Sequence, residues 1–120
     1  MKILMINGTM RKGSTYNIAQ LLINNLVQES DTVEELFLPQ AMPNFCVGCA
    51  SCVMKGEENC PHFEYVDKIR TSIDEAEILI FTSPVFVMHT TGQMKTLLDH
   101  FAYRWMVHRP EEKMFTKQAV

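Results

Sequence analysis

Short continuous apolar runs alternate along the chain with stretches in which apolar residues recur every three or four positions. Residues 2–7 (KILMIN) form one such run, read as a strand, and Ile18, Leu22 and Leu26 then recur at helical spacing within residues 16–28. Residues 32–38 (TVEELFL) read as a second strand. From 39 to 62 the pattern breaks down around Pro39, Pro43, Gly48, Gly56 and Pro61, which predicts a long loop. A loop of that length in a compact domain is uncommon unless it is functional. Val66, Ile69, Ile73 and Ala76 mark one face of a helix over 65–76, and residues 77–82 (EILIFT) follow as a nearly continuous apolar strand of the kind buried on both faces. A loop over 83–91 leads into a helix from about residue 92 to 103, with Met94, Leu97, Leu98 and Phe101 inward. After a polar turn around Pro110, residues 114–120 begin a fourth strand.

The order β-α-β-α-β-α-β predicts a single α/β domain: a doubly wound parallel sheet with right-handed crossovers and helices on both faces. Such a sheet usually has five strands, in the order 2-1-3-4-5. The expectation is therefore a fragment that stops in or after strand four, or a sheet whose edge something else covers. The 120 residues, 47% hydrophobic and 21% charged, suit one soluble core. No run approaches the roughly 20 apolar residues of a bilayer span, and no signal-peptide core precedes the first strand, so the expected location is the cytoplasm. A net charge of -3 offers no concentrated basic face for nucleic acid or anionic membrane.

The turn from the first strand into the first helix, residues 8–17 (GTMRKGSTYN), is the first candidate site. Backbone N–H groups and the positive end of a helix dipole converge there, which makes an anion site. Hydroxyls at Thr9, Ser14 and Thr15, the amide of Asn17 and the cation of Arg11 would saturate a phosphomonoester. Gly8, four residues and Gly13 nearly spell a P-loop, but Ser14 stands where the lysine that reaches β- and γ-phosphates belongs. G-x-G-x-x-G cannot be written over these residues. The competing reading is that Ser14 merely caps the helix and Arg11 and Lys12 are solvated.

In an open α/β sheet, ligands bind beyond the carboxyl ends of the strands where strand order reverses, here between strands one and three. The loop after strand three is Ser83-Pro84-Val85-Phe86-Val87-Met88-His89-Thr90-Thr91. Its apolar residues offer a surface for a flat ring, or else pack on a neighbouring helix or subunit. Taken together, Gly-Thr-Met-Arg-Lys-Gly-Ser-Thr after strand one, Ser-Pro-Val-Phe after strand three and the following Gly-Gln-Met-Lys-Thr-Leu-Leu-Asp resemble the NAD(P)H-dependent FMN reductases of the flavodoxin-like fold, over essentially the whole chain. The resemblance implies an oxidoreductase that uses FMN with NAD(P)H as donor. By position, Thr9, Arg11, Ser14, Thr15, Tyr16 and Asn17 would hold the phosphate, and Pro84, Val85, Phe86, Val87, Met88 and His89 the ring. Members often carry Tyr at the position of Phe86 and an aromatic at that of Val87. A third family loop, after strand four, lies past the end of this chain.

All four cysteines, Cys46, Cys49, Cys52 and Cys60, fall within the long loop. Three at intervals of three, with a fourth before Pro61, are similar to the compact ligand runs of iron–sulfur proteins, whereas zinc ribbons usually draw their pairs from separate turns. Within the resembled family, iron–sulfur flavoproteins carry a [4Fe-4S] cluster on such a motif; zinc and a metal-free loop remain open. The acceptor is then a small molecule or, through a cluster, a redox protein; a non-catalytic flavin carrier and a remnant that binds no flavin are the alternatives. The resemblance also implies a homodimer or higher homo-oligomer, with which the aromatic segment 101–106, holding Tyr103 and Trp105, is compatible. His62, His89, His100 and His108 are too dispersed in sequence to suggest a metal set, and only His89 falls at the proposed ring loop.

Overall fold

The computed structural model describes residues 1–105 and 111–120, the side chain of Trp105 excepted. The expected turn at Pro110 lies outside the described residues, as do Met106 and His108. In chain order the elements are β1 (Lys2–Asn7), α1 (Ser14–Leu26), β2 (Thr32–Phe37), α2 (Leu38–Ala41), α3 (Ser51–Met54), α4 (Phe63–Glu75), β3 (Ile78–Thr82), α5 (Gly92–His100), α6 (Ala102–Trp105) and β4 (Gln118–Ala119). The strands pair in the order β2-β1-β3-β4, every pair parallel, with Met5 level with Glu35 on one side and Ile80 on the other. This is the expected doubly wound order as far as strand four.

The pleat of β1 sends alternate residues to two cores. Leu4 and Ile6 meet Val66, Ile69 and Ile73 of α4 and Leu97 of α5, while Ile3 and Met5 meet Ala19 and Ile23 of α1. Full burial of β1 on both faces is what its unbroken apolar run encodes.

Two expectations are corrected. In α1 the inner line is Ala19 and Ile23, with Tyr16 and Leu26 partly packed beside them, so Ile18 and Leu22 are exposed. The fourth strand is only two residues long, because residues Glu112–Thr116 wind into a 3-10 turn that lays Met114 on the main core. In the aromatic segment Phe101 faces inward as expected, and it and Tyr103 are buried in the chain's own core, where their rings stack.

Candidate functional site

Helix α1 begins without a side-chain cap. Its N-cap is Gly13, which has no side chain to offer, and no acidic residue lies in the first turn. Ser14 is the first helical residue and does not cap. Intrahelical bonding starts with the Asn17 amide on the Gly13 carbonyl, so the N–H groups of Ser14, Thr15 and Tyr16 have no acceptor within the helix. These donors open on a cavity of about 230 Å³ lined by Thr9, Arg11, Gly13, Ser14 and Thr15 on one side and Pro84 and Phe86 on the other. Thr9 shapes the turn by accepting from the Arg11 amide at 2.8 Å. Among the described residues no carboxylate pairs with the Arg11 guanidinium. The cavity thus combines unpaired donors, hydroxyls and a cation on one wall with apolar surface opposite, as a phosphate ester on a flat body requires.

The other residues expected around this site lie outside its lining. Tyr16 turns toward β2, where its hydroxyl bonds Glu35 and its ring tilts against Phe37 at 6.2 Å, with the Lys12 ammonium over both rings. Burial, reinforced by the Glu35 carboxylate, pushes the Tyr16 phenol up. Asn17 is exposed. Residues 86–89 close a tight turn with two backbone bonds between Phe86 and His89, at 2.8 and 3.0 Å. Val87 and Met88 occupy its tip at φ 47 and 62, and both are almost fully exposed. Val85 is exposed as well, so this loop's apolar residues do not pack on a neighbouring helix. The His89 ring accepts from the Thr90 amide and faces solvent.

The carboxyl ends of three strands are tied by a polar seam. Asn7 donates to the Leu36 carbonyl and accepts from Thr82, and the Gly8 amide donates to the Thr82 carbonyl at 2.8 Å. Thr91, fully buried, donates to the Gly8 carbonyl at 2.8 Å and caps α5 by accepting from Met94.

A second cavity, of about 510 Å³, is lined by all four cysteines together with Pro61, His62, Asp99 and His100. Cys46 and Cys49 are exposed and Cys52 and Cys60 half-buried. Burial pushes the Cys52 thiol up, and the neighbouring Cys60, Cys46 and Cys49 push it further. Hydrogen bonds from Ser51, side chain and backbone, draw the Cys49 thiol down. Among the described residues, no three Cys, His, Asp or Glu side chains converge on one point. Two histidines judged dispersed in the sequence meet here. The His100 Nδ1 lies 2.7 Å from the Thr96 carbonyl, which only accepts, so Nδ1 carries a proton, and the His100 Nε2 pairs with His62 Nδ1 at 3.0 Å. The His62 amide in turn donates to Cys60 Sγ.

No helix among the described residues is long and apolar enough to cross a membrane. The chain is 31% identical over 100 residues to an iron-sulfur flavoprotein of Archaeoglobus fulgidus, covering 82% of this chain and 44% of that protein. An iron-sulfur flavoprotein of Methanocaldococcus jannaschii is 33% identical over 100 residues, 82% of this chain and 51% of its own. The chain thus spans about half the length of these curated relatives. A flavone reductase structure superposes with a TM-score of 0.66 at 20% identity, over 98% of this chain and 41% of its own. The family model for NADPH-dependent FMN reductase matches residues 1–120. With its parallel 2-1-3-4 sheet and the loops described above, the chain belongs to the NADPH-dependent FMN reductase family.

Proposed function

We propose that the chain acts as an FMN-dependent oxidoreductase that takes electrons from NAD(P)H and passes them to a small acceptor or, through a cluster on the four cysteines, to a redox protein. The observation that carries this reading is the smaller cavity: the uncapped α1 terminus and Arg11 face Pro84 and Phe86 across the point where strand order reverses. The residues fit FMN. Arg11, Thr9, Ser14, Thr15 and the first amides of α1 would hold the phosphate, and Pro84 and Phe86 would offer the ring an apolar surface. Tyr16 and Asn17 shape the start of α1, and Val85, Val87, Met88 and His89 form the solvent side of the ring loop. The chemistry FMN supplies when bound is reversible electron transfer, fed by a reduced nicotinamide. The chain contributes position and electrostatics, and none of its side chains is required as a general acid or base.

An iron–sulfur cluster is the occupant proposed for the cysteine cavity, on the support that Cys46, Cys49, Cys52 and Cys60 of one loop all line the same space. A cluster gives each thiolate its own iron, whereas zinc draws four sulfurs to about 2.3 Å from a single centre. A homodimer remains part of the proposal on family grounds, although Phe101 and Tyr103 no longer argue for it.

Anaerobic purification and titration with FMN test the reading. The expected results are a yellow chain with the visible flavin spectrum and flavin-dependent oxidation of NAD(P)H. Arg11→Ala weakens FMN binding about tenfold through loss of one charge-assisted contact, yet leaves riboflavin, which lacks the phosphate, unchanged. A chain that stays colourless in excess FMN sinks the proposal.

A further inference from the structure

The polar seam beneath the smaller cavity does more than fasten strand ends. Its Thr91 sits at the N-cap of α5, is fully buried, and uses its hydroxyl twice. As acceptor the oxygen takes the Met94 amide at 3.3 Å, the ordinary service of a capping threonine. As donor it gives its proton to the Gly8 carbonyl at 2.8 Å, a bond that capping does not need and that spans 83 residues of sequence. The Thr91 amide donates to Ser83 Oγ at 2.9 Å, and that hydroxyl donates to the Pro84 carbonyl at 2.9 Å. One residue therefore joins the origin of the 8–13 loop to both ends of the 83–91 loop.

Gly8 reports how closely the loops are held. A Cβ built on it would lie 2.6 Å from Thr91 Oγ1 and 3.1 Å from the Thr82 carbonyl oxygen, so any side chain there must drive the loops apart. The φ of Gly8 is not in the positive region that favours glycine; close approach alone demands it. The phosphate wall of the cavity follows Gly8 along the chain, and Pro84 and Phe86 of the opposite wall precede Thr91.

We infer that Thr91 is a positioning residue that sets the separation of the two cavity walls by bonding the Gly8 carbonyl. Its consequence for flavin rests on the function proposed above, since a ligand that contacts both walls requires them at one spacing. Loss of the bond leaves a buried carbonyl without its donor and releases the turn that carries the phosphate wall. Capping alone predicts a different outcome, in which any weakening of α5 matters equally.

Thr91→Val, Thr91→Ser and Thr96→Val separate these cases. Thr96 is a buried residue of the same helix whose hydroxyl bonds the Gly92 carbonyl at 2.8 Å and lines neither wall. Amide hydrogen exchange on the ligand-free chain is measured first, then FMN affinity by fluorescence titration. In Thr91→Val, exchange at Gly8 rises and FMN affinity falls, each by about tenfold, the scale of one buried hydrogen bond. Thr91→Ser, which keeps both uses of the hydroxyl, stays within about twofold of wild type, and Thr96→Val loses thermal stability without either change. If Thr91→Val does not fold, Gly8→Ala applies the same separation from the other loop. Equal effects in Thr96→Val and Thr91→Val, or unchanged Gly8 exchange in Thr91→Val, overturn the inference. A wild-type chain that takes up no FMN overturns the flavin reading instead, and the exchange arm still decides whether Thr91 ties the loops.

Discussion

At Asp74 one carboxylate receives three guanidinium hydrogen bonds, two from Arg104 at 2.8 and 2.9 Å and one from Arg70 at 2.9 Å. The Asp74 and Arg104 side chains are only 11% and 8% exposed, so each depends on the other for its charge to be tolerated. The Lys117 ammonium bonds the Asp74 and Ala76 carbonyls, which fixes the approach to β4 at the end of α4. Burial pushes the Asp74 carboxyl up, but Arg104 and Arg70 outweigh it and hold the group below its usual range. A carboxylate depressed in the folded state stabilises the fold above its unfolded pKa of about 3.9 and loses that contribution as pH falls through the folded value. Asp74→Asn should cost about 3 kcal/mol at neutral pH, lowering the melting temperature by roughly 10 °C, because Arg104 is left buried and unpaired. The gap between variant and wild type should close as pH is lowered below about 4, and a gap independent of pH would show that the charge is not the cause. None of this was legible in the sequence, nor was the meeting of His62 with His100, since contacts spanning 30 and 38 residues follow only from the packing of α4, α5 and α6. The grouping of Thr9, Arg11, Ser14 and Thr15 on one cavity was legible because they are close in sequence, and that of the four cysteines on another because they come from one loop.

Among the elements, the long periodic or wholly apolar ones follow their sequence patterns. β1, β3 and α4 lie where their apolar residues place them, and Val66, Ile69 and Ile73 face the core. The four-residue helices α2 and α3 are too short to show a period, and α1 carries apolar residues on two faces, so periodicity chose the wrong one. The 86–89 turn was also hidden. Two-residue turns with positive φ at both centres favour Asn-Gly, and Val87-Met88 is nearly the opposite choice. A β-branched residue at φ 47 costs on the order of 1–3 kcal/mol, and strain of this kind persists where function requires it. The paired substitution Val87→Asn and Met88→Gly should therefore stabilise the chain by about 1–2 kcal/mol, seen as a rise of roughly 5 °C in melting temperature. If the strained tip serves the proposed ring site, the same variant binds FMN more weakly despite its greater stability. A variant no more stable than wild type would mean that the turn carries no strain to release.

Among the described residues the two cavities share no lining residue, yet α5 is tied to the surroundings of both. Its N-cap, Thr91, bonds the Gly8 loop, and its last residue, His100, lines the cysteine cavity and bonds His62. A parallel sheet sends its strand-following loops to one edge, so two binding regions can arise side by side without sharing side chains. Sites without common partners contribute additively, and departures from additivity measure whatever connects them. Cys46→Ser and Cys49→Ser alter exposed residues of one cavity only and should leave FMN affinity within about twofold of wild type, while abolishing iron uptake on anaerobic reconstitution. Arg11→Ala should do the reverse, weakening FMN and sparing iron. His100→Leu tests the connection: it removes the bond to His62, so iron loading should fall while the Thr91 end of α5 keeps the flavin walls in place. If FMN affinity falls in step with iron loading in all three cysteine-side variants, the cavities are not independent. The flavin would then depend on the cysteine loop itself, rather than on the two sheet-edge loops that Thr91 joins.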